Sequence, residues 1–491
     1  MTVPNTTINK SDGNTGVAVL ANPVGILAVI APCEKGSQNL PQFATKPKAL
    51  LAAMGFGILT AIASYGIPQT GKPMVVVQAT PTTPGSYSAF TYTGTGTLAG
   101  SITAHGGALP LDDFPVVFRF VVGGTTGTTG ITYQYSIDAR SVTDPAKVWS
   151  PVFALGTALT VSIPNTGMQF DFVTAKTVVA GDSWKVTAKG PRLTTADITT
   201  AMNALRASNL PWEAVLVAGH DASSTTISNQ DTALAALETN GRYRGFILGA
   251  VPRDATTQTE AQYLTAMTAA FGASASIRGC VAADQCIISD PDRGIDMLRS
   301  ASIPFAVRLM AIDVTQDAAE NTSPLSAVRI VDENGSALYH DEALDAGLDD
   351  QRLVALRTWN NKIGVFVNNP RVISTPGSDY VFAQHWRTMN RACELAHSAL
   401  TSELSKGVFK DIVTGRIRED EAARIERVVD SAISSELGKK VPYVKFTLSR
   451  DDDLGSNAGA TLTGTIDLIM PTYIKAFVVN AKFARTIAAA A

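Results

Sequence analysis

Residues 358–375, TWNNKIGVFVNNPRVIST, decide how the C-terminal third of this chain is read. Ile363, Val365 and Val367 alternate over a short run that then meets Asn368-Asn369-Pro370, the pattern of one strand of a hairpin. Beyond it a helix is expected over 378–404. Tyr380, Val381, Trp386, Met389, Leu395, Leu400 and Leu404 recur at mostly helical spacing, Arg387, Arg391 and Glu394 fill polar positions, and Ser378 and Asp379 would cap the start. A second helix, REDEAARIERVVDSAISSELGKK (418–440), places Ala423, Ile425, Val428, Val429, Ile433 and Leu437 at its apolar positions. Two strand signals follow, VPYVKFTLS and TLTGTIDLIMP, and then a last apolar run, YIKAFVVNAKF (473–483). No later segment remains to pair with that run, so another part of the fold or another chain must satisfy its backbone groups.

The order and spacing of GVFVNNPRVISTPGSDYVFAQHWRTMNRACELA (364–396) and of the GTIDLIMPTYIKAFVV ending (464–479) resemble the C-terminal domain of the contractile bacteriophage tail sheath family, of the Myoviridae-type, Mu-like kind. The shared pattern is a Gly-hydrophobic strand, an Asn-rich turn, Gly377-Ser378-Asp379-Tyr380 entering a helix with Arg387 and Arg391, and a closing hairpin with Pro471. The resemblance implies a structural virion protein that polymerises helically around an inner tail tube and contracts to drive the tube through the host envelope for genome ejection. It implies assembly in the host cytoplasm, with partners that are further copies of the chain, the inner tail tube, and baseplate and tail terminator proteins. It implies no catalytic site, cofactor or metal. Terminal arms would cross to neighbouring subunits and complete small sheets there. On this chain the arm positions are Val3, Thr6, Ile8 and Val17 at one end, and Tyr473, Ile474, Ala476, Phe477, Val478, Val479 and Phe483 at the other. In the family the C-terminal domain faces the tube, which makes Arg418, Arg424 and Arg427 candidates for tube contact; an ordinary solvated helix face is the plainer reading of the same residues.

Composition bounds the rest. A 491-residue chain with 45% hydrophobic and 17% charged residues is long enough for two to four packed domains. A net charge of -3 gives no footprint for direct nucleic acid binding. Cys33, Cys280, Cys286 and Cys393 are scattered without a CxxC pair, which reads as free thiols in a reducing compartment. The polar start MTVPNTTINKSDG carries no signal-peptide pattern, and the most apolar windows are broken by Pro or Gly, so no membrane insertion is expected.

In chain order, a polar arm (1–22) leads into GILAVIAP, a helical PKALLAAMGFGILTAIASYGIP and KPMVVVQAT, a βαβ unit with a buried parallel pair. At about 83 the sequence turns rich in Gly, Thr and Ser with short alternating runs. Residues 83–191 therefore read as an inserted β-sandwich or barrel at the surface, closing with a turn at Gly181-Asp182 into a strand with Trp184. Such an insertion, with its ends close together, is expected to contribute little to the parent core and to be removable. Strand–helix alternation resumes after Leu193 and runs to an acidic connector, VDENGSALYHDEALDAGLDD. The expected fold class is multidomain α/β plus all-β: a parallel α/β core (23–82 and 192–350), the β insertion, an α+β C-terminal domain (351–470) and a strand arm (471–491).

Catalytic motifs are weak. His220 and Asp221 end a predicted strand, where ligand sites of open α/β sheets lie, but a loop histidine held by hydrogen bonds is the plainer reading. No GxSxG, HExxH or GxxxxGK[ST] occurs. GTGTLAG (94–100) opens no helix and reads as a turn; His340, Asp341 and Glu342 read as a solvated acidic connector, and Asp451, Asp452 and Asp453 as a loop. The alternatives to a sheath subunit are an α/β hydrolase-like enzyme with a β accessory domain, and a non-contractile tail or capsid decoration protein.

Overall fold

In the computed structural model the described residues are 22–98, 102–139, 148–331, 336–404, 406–452, 454 and 461–475. The expected arm positions Val3, Thr6, Ile8, Val17, Ala476, Phe477, Val478, Val479 and Phe483 lie outside them, as does Asp453. The chain divides into two compact units, Met1–Glu394 and Leu395–Ala491.

The first unit starts from the predicted βαβ run. Strand β1 (Leu27–Ala31) leads through a short β2 (Gln42–Ala44) and helices α1 (Pro47–Met54) and α2 (Ile58–Thr70) to β3 (Met74–Gln78). The single helix read from sequence is two, broken at Gly55, whose φ of +70° ends α1. Every residue of β1 and β3 is buried, as unbroken apolar runs require of a sheet covered on both faces.

After β3 the chain leaves this sheet for eleven short strands: β4 (Ser86–Tyr87), β5 (Thr91–Thr93), β6 (Ile102–Ala104), β7 (Phe114–Val122), β8 (Gly124–Thr125), β9 (Thr132–Ser136), β10 (Phe153–Ala154), β11 (Thr160–Ser162), β12 (Gln169–Phe172), β13 (Thr177–Val178) and β14 (Ser183–Lys189). They form a main sheet ordered β10-β9-β7-β14-β4, with β5 also on β14, and two small sheets, β11-β12-β6 and β13-β8. Phe114, Phe118, Phe120, Phe170, Phe172 and Trp184 pack between them. Gly181, at φ +92°, turns the chain into β14 as its sequence predicts. Departure and return are adjacent, because Thr83 and Arg192 bridge.

The chain then alternates α3 (Thr195–Ala207), β15 (Ala214–Val217), α4 (Ser224–Glu238), β16 (Gly245–Gly249), α5 (Glu260–Phe271) and β17 (Gly279–Ala282). The core sheet is ordered β17-β16-β15-β1-β3-β2, parallel throughout except for β2. Side-chain alternation sorts its residues between two cores. Leu27, Val29 and Leu216 join the face covered by α2 and by helix α6 (Ser302–Ala311), whereas Ala28, Ile30 and Val215 join the face covered by α3, α4 and α5. After β17 the RGCVAADQCIIS run breaks at Asp284, where φ is +61°. It resumes as β18 (Gln285–Asp290) in an antiparallel sheet with β19 (Ile295–Ser300) and β20 (Val328–Arg329). The IPFAVRLMAI run forms helix α6 (Ser302–Ala311).

Two expectations are corrected here. The β-rich segment is not detached from its parent: Ile295 and Met297 of β19 belong to the segment's own core, and Arg299 of β19 donates both Nη atoms to Asp112 at 2.8 Å, with Asp112 fully buried. Arg293 adds a 2.6 Å ion pair with Asp290, reaches the Asn165 carbonyl, and lies over the rings of Phe56 and Phe114. The connector HDE is not solvated either. His340, Asp341 and Glu342 are each at most 7% exposed, because their polar groups are taken up internally. His340 bridges Glu260 and Glu342, Glu342 also accepts the amides of Gly347, Leu348 and Asp349, and Asp341 accepts from Thr358.

The 358–375 stretch forms the expected hairpin, β21 (Leu356–Trp359) with β22 (Lys362–Val367), turning at Asn360-Asn361. Val365, Phe366 and Val367 are buried while Ile363 is 97% exposed. The helix that follows, α7 (Ala383–Thr401), begins five residues later than predicted. Residues 378–382 are held in an extended path by the Arg371–Phe382 bridge and the bond from Ser374 Oγ to the Tyr380 carbonyl, so Ser378 caps only a local turn at the Tyr380 amide. In the second unit α8 (Glu419–Leu437) buries Ala422, Ile425, Val429, Ile433 and Leu437; Ala422, not Ala423, completes the stripe. Strands β23 (Tyr443–Leu448) and β24 (Gly464–Ile469) form an antiparallel hairpin. Among the described residues no helix is long and apolar enough to cross a membrane.

Candidate functional site

The β23–β24 hairpin has two edges with opposite chemistry. In its register Phe446 pairs with Ile466, Val444 with Leu468 and Leu448 with Gly464. The amides of Phe446 and Leu448 point away from β24 into side chains of α8, at 2.7 Å to Asp430 Oδ1 and 2.8 Å to Glu426 Oε1. Glu426 and Asp430 stand four residues apart, hence on one helix face, and occupy that edge as a surrogate strand. Arg450 fastens the arrangement by pairing with both Glu419 and Glu426, contacts that hold the Glu426 carboxyl below its usual range despite partial burial. In antiparallel pairing a residue whose amide faces outward sits opposite one that also faces outward. The backbone groups of Ile466 and Leu468 therefore point away from β23 along the other edge, where Gly464, Thr465, Asp467 and Ile469 are exposed. A two-stranded hairpin alone is marginal in water, and an open edge is a template for a further strand.

The arm and tube candidates fall around this hairpin to different degrees. Tyr473 is half-buried and Ile474 is 70% exposed; residues 473–475 are not in a strand. Arg418 stands at the start of α8 and pairs with Asp420, and Arg424 pairs with Glu403 and Glu421. Arg427 is exposed and bonds the Ala423 carbonyl of its own helix.

The catalytic candidates are tied up by structure. Strand order reverses between β1 and β15, and His220 lies just past the carboxyl end of β15, where such folds bind ligands. Its Nδ1 meets the Leu193 carbonyl at 2.7 Å, which requires an N–H there, and its Nε2 meets Thr226 Oγ1 at 2.8 Å, so it must accept. Neither ring nitrogen is left for a substrate or metal. The crevice beside it, lined among others by Asp112, Arg192, His220 and Ser300, measures about 70 Å³. That is far below the roughly 300 Å³ at which ligand pockets begin. Among the described residues no group of three or more His, Cys, Asp or Glu side chains is placed to hold a metal ion. Gly94 and Gly96 pack against the Asp182 carboxylate, which accepts the Thr95 amide, so the described part of GTGTLAG is a turn.

Two constellations, the first of them buried, were missed in the sequence. One is the Glu213–Arg387 pair. Arg387 Nε donates to Glu213 Oε1 at 2.5 Å, its Nη groups reach the Ile312 and Asp313 carbonyls, and Glu213 also accepts the Gly25 amide. The other is the edge-capping pair Glu426 and Asp430, whose four-residue spacing was its signal.

Comparison with known proteins adds a family and a fold. A chain of the contracted baseplate of the anti-feeding prophage has a TM-score of 0.50 at 12% identity, over 98% of each chain. A sheath complex of an extracellular contractile injection system in its contracted state gives 0.49 at 10% identity over 99% of this chain and 98% of that one. The sheath tail protein of Desulfitobacterium hafniense gives 0.47 at 10% identity over 95% and 100%. At such identities likeness is one of fold, and at that level the resemblance to contractile tail proteins is borne out. No curated protein matches the chain. The family model described as DUF2586, N-terminal domain, matches residues 3–371, most of the length, and the chain belongs to the DUF2586 family.

Proposed function

We propose that this chain is the subunit of a contractile tail sheath, polymerising helically around an inner tube and shortening to drive that tube through an envelope. The observation that carries the reading is the asymmetry of the β23–β24 hairpin: one edge is closed by Glu426 and Asp430, and among the described residues no strand pairs with the other. In this reading arms of neighbouring copies, from 1–22 and 471–491, add to the Ile466–Leu468 edge by main-chain pairing. Each such hydrogen bond contributes about 0.5–1.5 kcal/mol net, so a few of them hold a neighbour while the folded bodies stay intact. The parallel core (23–82 and 192–350), the β insertion (83–191) and the α+β region (351–470) then act as bodies that shift against one another's copies during contraction. The role is mechanical, not catalytic, in keeping with the engaged His220 and the small crevice beside it. Arg418, Arg424 and Arg427 are the tube-facing candidates, baseplate and terminator proteins would hold the ends of the assembly, and assembly would take place in the host cytoplasm.

Heterologous contacts that do not close build an open helical filament, so concentrated protein should form hollow, striated tubes visible by negative-stain microscopy. Ile466→Pro is the sharpest variant. It removes an outward N–H and leaves the β23 ladder whole, so the protein should melt as wild type does but form no tubes. Truncation after Pro471, or of the first 16 residues, should have the same effect. Monodisperse wild-type particles at every concentration would overturn the sheath reading; tubes of normal length from Ile466→Pro would overturn the strand-addition part alone.

A further inference from the structure

We propose that a proton on His340 latches the connector between β20 and β21 to helix α5, and that losing it frees residues 338–349 from that helix while the core sheet stays closed. The geometry requires the proton. His340 is 4% exposed, its Nδ1 lies 3.0 Å from Glu260 Oε2 at the start of α5, and its Nε2 lies 2.9 Å from Glu342 Oε2 in the connector. A neutral imidazole has one N–H and an ionised carboxylate can only accept, so both bonds form together only on the imidazolium. Each carboxylate also accepts from other donors: Glu342 from the amides of Gly347, Leu348 and Asp349, and Glu260 from Arg253 at 3.0 Å. The proton shared among the three side chains therefore belongs to the ring. Burial alone would lower the pKa of His340, but the bonds to Glu342 and Glu260 outweigh it and hold the value above the usual 6.5.

The bond that fails on deprotonation is the one to α5. A neutral ring keeps a single proton; the Glu342 side chain is 4% exposed and its other partners are amides, whereas that of Glu260 is 24% exposed and keeps Arg253. With the proton on Nε2, Nδ1 turns a lone pair towards Glu260 Oε2, and two acceptors face each other. Beyond the ring the connector closes on α5 at Gly347, where a Cβ would come 2.7 Å from Leu264 Cδ2. An opening of about 200 Å³, lined among others by Glu260, Tyr263, Leu264, His340 and Asp345, gives water a path to the parted bond. The far end of the connector stays anchored, because Asp341 accepts from Thr358 and Val354 bridges to Ala282 of β17. Of the other titratable groups around the ring, Tyr263 lies 6.5 Å away and Asp284 accepts the His340 amide at 2.6 Å. Burial raises the Asp284 carboxyl, so its ionisation acts in the same direction and has to be separated from that of His340.

The test is hydrogen exchange on the full chain between about pH 6 and pH 9, with each rate divided by its intrinsic rate at that pH. A pKa raised on folding gives stability that is full below about 6.5 and lost as pH rises through the folded-state value. Protection of peptides covering 338–342, which carry the His340 amide, should therefore fall about tenfold or more across the range, while Leu27–Ala31 of β1 keep theirs. His340→Gln removes the titrating ring, and Glu260→Gln supplies an N–H that a neutral ring can accept, so both variants should show protection that does not change with pH. Glu260 is the first residue of α5 and partly exposed, so its amide variant keeps the fold; both variants leave Asp284 in place. Wild-type protection that stays constant across the range would overturn the latch. So would an equal fall in the two variants, which would assign the titration to Asp284.

Discussion

Arg387→Met should unfasten the start of the central strand. The arginine side chain is fully buried, pairs with Glu213 at 2.5 and 3.3 Å, and donates to the Asp313 and Ile312 carbonyls at 3.1 and 3.3 Å. Methionine keeps much of the volume but strands a carboxylate on a residue only 7% exposed, with the Gly25 amide left as a donor. Breaking a buried pair from one side costs about 3–5 kcal/mol, whereas replacing both partners by apolar residues costs far less. Arg387→Met with Glu213→Leu should therefore be more stable than Arg387→Met alone, with a coupling of about 2 kcal/mol or more. A chain of this size need not unfold in one step, so the informative readout is local: amide exchange at Gly25 and Ile26. At about 1.4 kcal/mol per factor of ten, exchange there should quicken roughly 100-fold or more in the single variant and recover partly in the double. A single variant within about 1 kcal/mol of wild type, or a double variant worse than the single, would refute the reasoning.

His340 makes stability depend on pH. Burial lowers its pKa, but the hydrogen bonds to Glu342 at 2.9 Å and Glu260 at 3.0 Å outweigh this and hold it above the usual 6.5. Its contribution is therefore full below about 6.5 and lost as pH rises through the folded-state value; the stability gap between wild type and His340→Gln should shrink on going alkaline, and a widening gap would count against it. Asp112→Ala leaves Arg299 buried without its bidentate partner and should cost about 3–5 kcal/mol, read as a lowered denaturation midpoint. Excising residues 83–191 should give aggregated protein, since it uncovers Ile295 and Met297 and orphans Arg299; a soluble, monodisperse product would show that β19 repacks. Gly25→Ala places a methyl against the Lys72 ammonium and 2.7 Å from the Met310 carbonyl at φ +73°, and should destabilise by about 1–2 kcal/mol from backbone strain alone, checked by thermal melting.

The parallel core was legible because strands buried on both faces have no choice but to be continuously apolar, as 27–31 and 74–78 are. The β-rich segment was legible from its alternation, and so was the C-terminal hairpin. Lost in the sequence were pairings between distant residues: Asp112 with Arg299, Glu213 with Arg387 and His340 with Glu260 are separated by 187, 174 and 80 positions. Charged residues in a polar-looking stretch read as solvated, and only the folded chain shows that each faces a buried counter-charge. The late start of α7 has a more local origin. Ser378 and Asp379 are sound caps, but the bridge from Phe382 back to Arg371, eleven residues earlier, outcompetes the first helical turn.

Strand β1 lies in the interior of its sheet, in parallel ladders with β15 on one side and β3 on the other, and the turn before it is pinned at Val24 by Lys72 and at Gly25 by Glu213. A pull on the chain ahead of Asn22 thus arrives lengthwise on a strand gripped from both flanks. To yield, the ladders from Leu27 to Ala31 must slide together instead of opening one bond at a time, and shearing many bonds at once resists far more force than peeling them singly. An edge strand in that position would unzip. Wherever the N-terminal segment is attached, tension along it is spread into the whole core sheet, so the molecule is laid out like a cable termination, with its cord gripped along its length at the centre of the block.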